Sequence, residues 1–249
     1  MWKEHLVKQK FKIIGYGAIG RYIQSKIKPG FAVRFPLEDY KGGLQWGEGF
    51  TYLFTAGMSK PQDCEENTEL LARTVDGTIN AIRDIAKAGN RVIFFSSDVV
   101  LGNYSAYSLS KKSIENEIRK IPGVRIIRLS YVFSDEEFFR DPFTQYALTT
   151  DEEVIEVYAD LKRNIIHVKD VLDGIIYLDE HWDEAPIIVN LVGKHSIDKS
   201  ALLKYINKDY SIITDKEKID KFFEHRDKVI EIKPNFYKPK IDLTKGKNE

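Results

Sequence analysis

Apolar residues fall into two patterns along this chain. Short, mostly apolar runs appear at Phe11-Lys12-Ile13-Ile14, Phe31-Ala32-Val33-Arg34-Phe35, Tyr52-Leu53-Phe54 and Val92-Ile93-Phe94-Phe95. Runs of three to five residues, apolar but for Lys12 and Arg34 and bounded by turn signals, suit strands buried on both faces of a parallel sheet. Between them apolar residues recur every three or four positions. One segment runs from Gly20 to Ile27 and stops at Pro29-Gly30. A second runs from Glu65 to Ala88, with Leu70, Leu71, Val75, Ile79, Ile82 and Ile85 on one stripe, and stops at Gly89-Asn90. A third carries Ile114, Ile118 and Ile121. These spacings predict helices with one buried face. Strands alternating with helices predict an α/β fold: a doubly wound parallel sheet of Rossmann type. Gly42-Gly43 and Gly47-Glu48-Gly49 break the stretch before Tyr52, so no regular helix is expected there.

The first run leads directly into Gly15-Tyr16-Gly17-Ala18-Ile19-Gly20. In a strand–turn–helix context this Gly-x-Gly-x-x-Gly spacing allows a tight turn and close backbone approach to a pyrophosphate. The helix start adds free N–H groups for the anion. Gly15, Gly17, Ile19 and Gly20 are therefore candidate cofactor contacts. Thr55-Ala56-Gly57 supplies small residues where a later strand ends, and Ala56 and Gly57 join the set. Arg34, near the end of the second strand, could accept a ribose 2′-phosphate, which favours NADP over NAD; it equally reads as a solvated surface charge.

The fourth run ends in Ser96-Ser97. Tyr107 and Lys111 follow, four positions apart at a helix start, and so share a face. Strand carboxyl ends are where open α/β sheets bind ligands. A cation beside a phenol favours phenolate, which would make the pair an acid–base device. The plainer alternative is that Ser97 caps a turn, Tyr107 packs and Lys111 is solvated.

Composition narrows the classes. The chain has 249 residues, 43% of them apolar, enough for one large domain or a domain with an added lobe. Thirty-eight basic side chains balance 38 acidic ones, which gives no electrostatic reason to expect nucleic acid or an anionic membrane. The single cysteine, Cys64, excludes an intrachain disulfide and a cysteine-cluster metal site. No run approaches a membrane span, and a cytoplasmic location is expected. His181, His195 and His225 lack metal-ligand spacing, so no metal is expected. His167, in an apolar run, reads as a structural residue. Asp170 reads as the cap of a helix beginning near Val171, and Asp135-Glu136-Glu137 as a helix-start charge run. The tail from Asp242 is polar and expected to fray.

Taken with its flanks, the Ser97–Tyr107–Lys111 trio resembles the Ser-Tyr-Lys site of the short-chain dehydrogenase/reductase superfamily. Thr74-Val75-Asp76-Gly77-Thr78-Ile79-Asn80, Val92 to Ser97, Val124 to Phe133, Ile166-His167-Val168-Lys169-Asp170-Val171, Ile187 to Gly193 and Lys238 to Lys245 are similar, in order, to elements of its extended branch. That branch contains nucleotide-sugar epimerases, dehydratases and reductases. Ser97-Asp98-Val99 lacks the acidic pair of the dehydratases and looks more like the run in dTDP-4-dehydrorhamnose reductases. The resemblance implies that Lys111 lowers the Tyr107 pKa, that Tyr107 protonates the substrate oxygen and that Ser97 orients it. It also implies a cofactor contact from Lys111; Ser96, at a strand end, is a further candidate cofactor contact, and Ser130, after the strand that begins at Val124, is one for the nicotinamide or the substrate. The implied organisation is a dinucleotide-binding domain over 1–131 and a small C-terminal substrate lobe over 132–249, with segments returning to the main sheet and a pocket between. The implied activity is NAD(P)-dependent reduction of a keto group on a nucleotide-activated sugar, in a homodimer. A nucleotide-sugar epimerase with retained NAD, or a catalytically silent dinucleotide-binding scaffold, are the alternatives. The sequence departs from the branch in its shorter glycine pattern, in Thr74 where Asn is usual, and in only ten positions from Ser97 to Tyr107.

Overall fold

The computed structural model describes residues 10–27, 31–33, 36–102, 105–136, 139, 141–223 and 229–245. The chain divides into two compact units, Met1–Arg128 with Asp179–Val189, and Leu129–Leu178 with Asn190–Glu249.

The first unit follows the alternation read from the sequence: β1 (Phe11–Ile14), α1 (Ala18–Lys26), β2 (Phe31–Val33), β3 (Thr51–Phe54), α2 (Pro61–Glu66), α3 (Thr68–Lys87), β4 (Arg91–Ser97), α4 (Ala106–Ile118) and β5 (Val124–Leu129). These strands and a late one, Ile188–Leu191, form a six-stranded sheet. Its order is the late strand, β5, β4, β3, β1, β2. The pairs β1–β2, β1–β3 and β3–β4 are parallel. The order reverses at β1 and β3, the kind of switch point at which such sheets open a crevice. The register aligns Ile14 with Phe54 and Phe54 with Phe94. That row places the glycine turn, Thr55-Ala56 and the end of β4 side by side at the sheet's carboxyl edge. Phe54 and Phe94 pack with Ile82 and Ile85 of α3 and Ile114 and Ile118 of α4, all buried. Burying such a side chain stabilises the fold by roughly 1.5–3 kcal/mol.

Two boundaries differ from the periodicity. The stretch expected as one helix from Glu65 to Ala88 is two helices, because Asn67 leaves helical geometry (φ −126°, ψ 57°) and its side-chain amide donates to the carbonyl of Asp63. Apolar spacing continues through such a break, so the stripe conceals it. Between β2 and β3 the described residues hold only a 3-10 turn, Leu37–Asp39. This segment lies directly on α3. A Cβ on Gly77 would sit 1.7 Å from the Leu37 carbonyl oxygen, and the Tyr40 hydroxyl donates to Asp84 at 2.8 Å.

In the second unit, β6 (Val132–Phe133) pairs in parallel with β9 (Ile166–His167). Between them come α5 (Pro142–Thr149), β7 (Ile155–Val157) and β8 (Lys162–Arg163), and α6 (Val168–Glu180) follows β9. The late strand of the sheet is β10. Beyond it lie α7 (Lys199–Tyr205), β11 (Tyr210–Ile212), α8 (Lys216–Phe223) and β12 (Val229–Ile230). Phe133, Ile165, Leu202, Tyr205 and Leu243 form a buried cluster. Leu243 is 4% exposed, so the tail expected to fray from Asp242 is instead anchored one residue later.

Two polar expectations are corrected here, and His167 is the structural residue its apolar setting predicts. Asp135 and Glu136 are not helical, Glu137 lies outside the described residues, and the Asp135 carboxylate pairs with His167 at 3.1 Å. The His167 Nδ1 accepts the Lys169 N–H, so Nε2 carries the proton given to Asp135. Burial lowers the His167 pKa and keeps the ring neutral. Asp170 is not a cap but lies within the first turn of α6. Its Oδ1 accepts from the Tyr237 hydroxyl and Lys240 N–H, and its Oδ2 from the Ile241 N–H, clamping the C-terminal segment.

Candidate functional site

At the glycine turn, β1 ends and α1 begins within four residues. Gly15 has φ +114°, and a Cβ there would lie 2.5 Å from the Ala56 nitrogen. A Cβ on Gly20 would lie 2.5 Å from the Gly15 carbonyl oxygen. Both positions require glycine, one for conformation and both for close approach. Gly17 differs: nothing lies within 4 Å of its would-be Cβ. Gly17 is also the N-cap of α1 and supplies no side-chain hydrogen bond to the helix start. The first turn of α1, which includes Ile19, thus starts without a side-chain bond from its N-cap and with open space where a Gly17 Cβ would lie. An uncapped helix start behind an open glycine turn fits a phosphate group. Thr55 Oγ1 donates to the Ile14 carbonyl at 3.1 Å and fixes the turn against the end of β3. Gly57, at φ +134°, would bring a Cβ to 3.8 Å from Lys111 Nζ, so the end of β3 runs from the turn to the lysine.

Ser97 is the last residue of β4. Its hydroxyl donates to Asp98 Oδ1 at 3.2 Å and accepts from the Val99 N–H at 3.4 Å, capping the 3-10 turn Asp98–Leu101. The same hydroxyl lies near enough to the Tyr107 phenol to act on its ionisation, in the direction that lowers its pKa. Tyr107 is the second residue of α4, which begins with a capping box. Ser105 Oγ accepts the Ser108 N–H and Ser108 Oγ accepts the Ser105 N–H, each at 3.1 Å. One turn on, Lys111 Nζ donates to the Phe95 carbonyl at 3.1 Å and lies 5.9 Å from the centre of the Tyr107 ring. The three side chains singled out in the sequence thus meet at one end of the sheet. Ser97 performs the turn-capping role of the plainer alternative.

The electrostatics run opposite to the implied tuning. Burial pushes the Tyr107 phenol up to about 12, and the nearby Ser97 hydroxyl offsets only part of that rise. Burial brings Lys111 down to about 8, while Cys64 and Glu115 act to raise it. Lys111 is 8% exposed, so desolvation of its ammonium outweighs the pull of these neighbours. Tyr107 is therefore a protonated phenol at neutral pH.

The Ser96 hydroxyl is engaged within the fold. Its Oγ donates to Glu115 Oε1 at 2.6 Å, in a buried pair. Glu115 follows Lys111 by one turn of α4 and takes a two-pronged bond from Arg128, with Nη2 to Oε2 at 2.6 Å and Nε to Oε1 at 3.0 Å. Sequence reading missed Glu115 and Arg128. The signal available was a carboxylate at Lys111+4 on the face that carries Tyr107. Ser130 lies in the second unit, buried, with its Oγ making no hydrogen bond among the described residues. Tyr131 beside it gives its hydroxyl to Asp141, the N-cap of α5. Arg34 and Tyr104 lie outside the described residues. A cavity of about 390 Å³, lined by Lys10, Arg91, Asp179 and Trp182 among others, opens at the amino ends of β1 and β4, the other edge of the sheet from the trio.

No protein-family model and no curated protein matches the sequence. Solved structures do match the fold. A dTDP-4-dehydrorhamnose reductase from Clostridium acetobutylicum superposes with a TM-score of 0.67 at 16% identity, over 82% of this chain and 83% of its own. One from Bacillus anthracis, in complex with NADP, gives 0.66 at 16% identity, over 82% and 83%. A hypothetical dTDP-4-dehydrorhamnose reductase from Sulfolobus tokodaii gives 0.66 at 14% identity, over 94% and 98%. At these identities the likeness is one of fold: the Rossmann-type α/β architecture expected from the strand–helix alternation.

Proposed function

We propose that this chain is an NAD(P)-dependent reductase of a keto group, acting on a nucleotide-activated sugar. The observation that carries the reading is the meeting of the Ser97 hydroxyl, the Tyr107 phenol and the Lys111 ammonium at the carboxyl edge of β4, in the same unit as an open glycine turn. The fold shared with dTDP-4-dehydrorhamnose reductases, one of them holding NADP, supports the choice of cofactor and substrate class.

Gly15, Gly17, Ile19 and Gly20 would hold the dinucleotide phosphates, with Ala56 and Gly57 lining the backbone beside them. When bound, the reduced nicotinamide supplies the hydride that the carbonyl carbon receives. The chain's own residues handle the oxygen. Ser97, its proton turned from Asp98 Oδ1 to the substrate, donates a hydrogen bond that orients the carbonyl, and Tyr107 gives its phenolic proton to the oxygen as negative charge develops there. A phenol raised to about 12 is fully protonated before the reaction, as a donor must be. Lys111, charged at neutral pH and held on the Phe95 carbonyl, stabilises the phenolate that remains. The ammonium therefore does its work after proton transfer, when a negative charge faces it.

Fluorescence titration with NADPH and NADH tests the cofactor, and NADPH oxidation with dTDP-4-dehydrorhamnose tests the reaction. Binding of at least one nucleotide and turnover of the sugar are expected. Tyr107→Phe should keep nucleotide affinity within about 3-fold and lower turnover by roughly 10²–10⁴-fold, the range for a general acid. Failure to bind either nucleotide would reject the reading.

A further inference from the structure

We propose that Glu65 is a positioning residue for Tyr107, acting through the backbone of the helix that carries the phenol. The inference rests on the reductase reading above. The start of α4 has N–H groups with no intrahelical acceptor. The capping box takes care of Ser108, and Leu109 N–H reaches the Ser105 carbonyl at 3.0 Å. The Ala106 N–H, one residue before Tyr107, is satisfied from elsewhere: it donates to Glu65 Oε1 at 2.7 Å across 41 positions of sequence. A bond from a backbone N–H to a carboxylate is charge-assisted, and a negative charge at a helix start is favourable in its own right.

Glu65 belongs to α2, and α2 is fixed by its neighbour. Cys64 is wholly buried and close enough to Lys111 for each to shift the other's ionisation. The chain leading into α2 passes Gly57, against Lys111 Nζ. The segment from Gly57 to Glu65 therefore touches the site at the lysine and again at the first turn of the tyrosine's helix. Only ten positions separate Ser97 from Tyr107, so the incoming strand offers little chain with which to brace that turn. The brace comes from α2. Proton transfer needs donor and acceptor placed to within about half an ångström, and a frayed first turn would lose that placement without removing a catalytic group.

Cys64 is the chain's single cysteine, which gives a readout independent of any cofactor. Glu65→Ala and Glu65→Gln are compared with the wild type by the reaction rate of Cys64 with Ellman's reagent at pH 8, by melting temperature, and by kcat and KM for NADPH-dependent reduction of dTDP-4-dehydrorhamnose. Glu65→Ala should raise the thiol rate and lower kcat, each by about 10-fold, with KM and NADPH affinity within about 2-fold. Glu65→Gln keeps an oxygen that can accept the Ala106 N–H and should recover kcat to within about 3-fold. An unchanged thiol rate in Glu65→Ala overturns the proposal. So does a loss of kcat that tracks a fall in melting temperature and that Gln fails to restore. If the wild type reduces no dTDP-4-dehydrorhamnose, the functional reading fails, and the thiol rate alone then decides whether Glu65 holds the helix.

Discussion

Lys111 Nζ donates to the Phe95 carbonyl at 3.1 Å, in a position where the amine is 8% exposed. Its pKa falls from 10.5 to about 8 because burial penalises the ammonium. The folded state therefore sheds this proton before the unfolded state does. Below pH 8 the side chain is charged in both states and its burial weighs fully against folding. Between pH 8 and 10.5 the unfolded chain binds more protons, so stability rises with pH. Lys111→Met should thus be more stable than the wild type at pH 7, by on the order of 2–3 kcal/mol. Its advantage should vanish by about pH 10.5. Urea melts at pH 7 and 10.5 measure both values, and equal stabilities at pH 7 would contradict the account.

Gly15 and Gly17 stand two residues apart but should respond differently to alanine. Gly17 has φ −74° and open space where a Cβ would go. Gly17→Ala should fold with a melting temperature close to the wild type and lose NADPH affinity by at least about 10-fold, since the methyl occupies the anion's approach. Gly15→Ala meets the Ala56 backbone and a positive φ. It should cost roughly 1–3 kcal/mol of stability. Denaturant unfolding and nucleotide titration on both variants separate the two effects.

Glu115 is 3% exposed and bound by Ser96 and Arg128. Arg128→Met would leave that carboxylate charged and buried, with an expected cost of about 3 kcal/mol. Replacing both partners with Met should recover most of it, because no charge is then stranded. A double-mutant cycle by urea unfolding gives the coupling. Glu115 also helps to hold Lys111 charged, so Glu115→Gln should move the alkaline limb of activity to lower pH.

Asp170 is 1% exposed and accepts three hydrogen bonds from Tyr237, Lys240 and Ile241. In Asp170→Asn one oxygen becomes an NH₂ donor that faces other donors. The expected loss is about 2–4 kcal/mol, from buried donors left unsatisfied. Limited proteolysis should cut first within residues 233–245. Protection equal to the wild type would show that Leu243 alone anchors the segment.

Local pattern carried the architecture. Apolar runs of strand length, glycines directly after the first run and the Tyr107–Lys111 spacing on one helix face are properties of neighbouring residues, and a strand or helix of fixed period turns them into geometry. They fixed the order of elements and which hydroxyl, phenol and amine belong together. Tertiary structure decided what depends on distant partners and on burial. Asp135 finds His167 across 32 positions and Asp170 finds Ile241 across 71, and in local sequence each carboxylate looks only like a helix signal. The helix break at Asn67 is hidden because its apolar stripe runs on. The sign of the Tyr107 and Lys111 shifts was likewise beyond sequence: spacing puts a cation near a phenol, but only burial settles whether desolvation or attraction prevails.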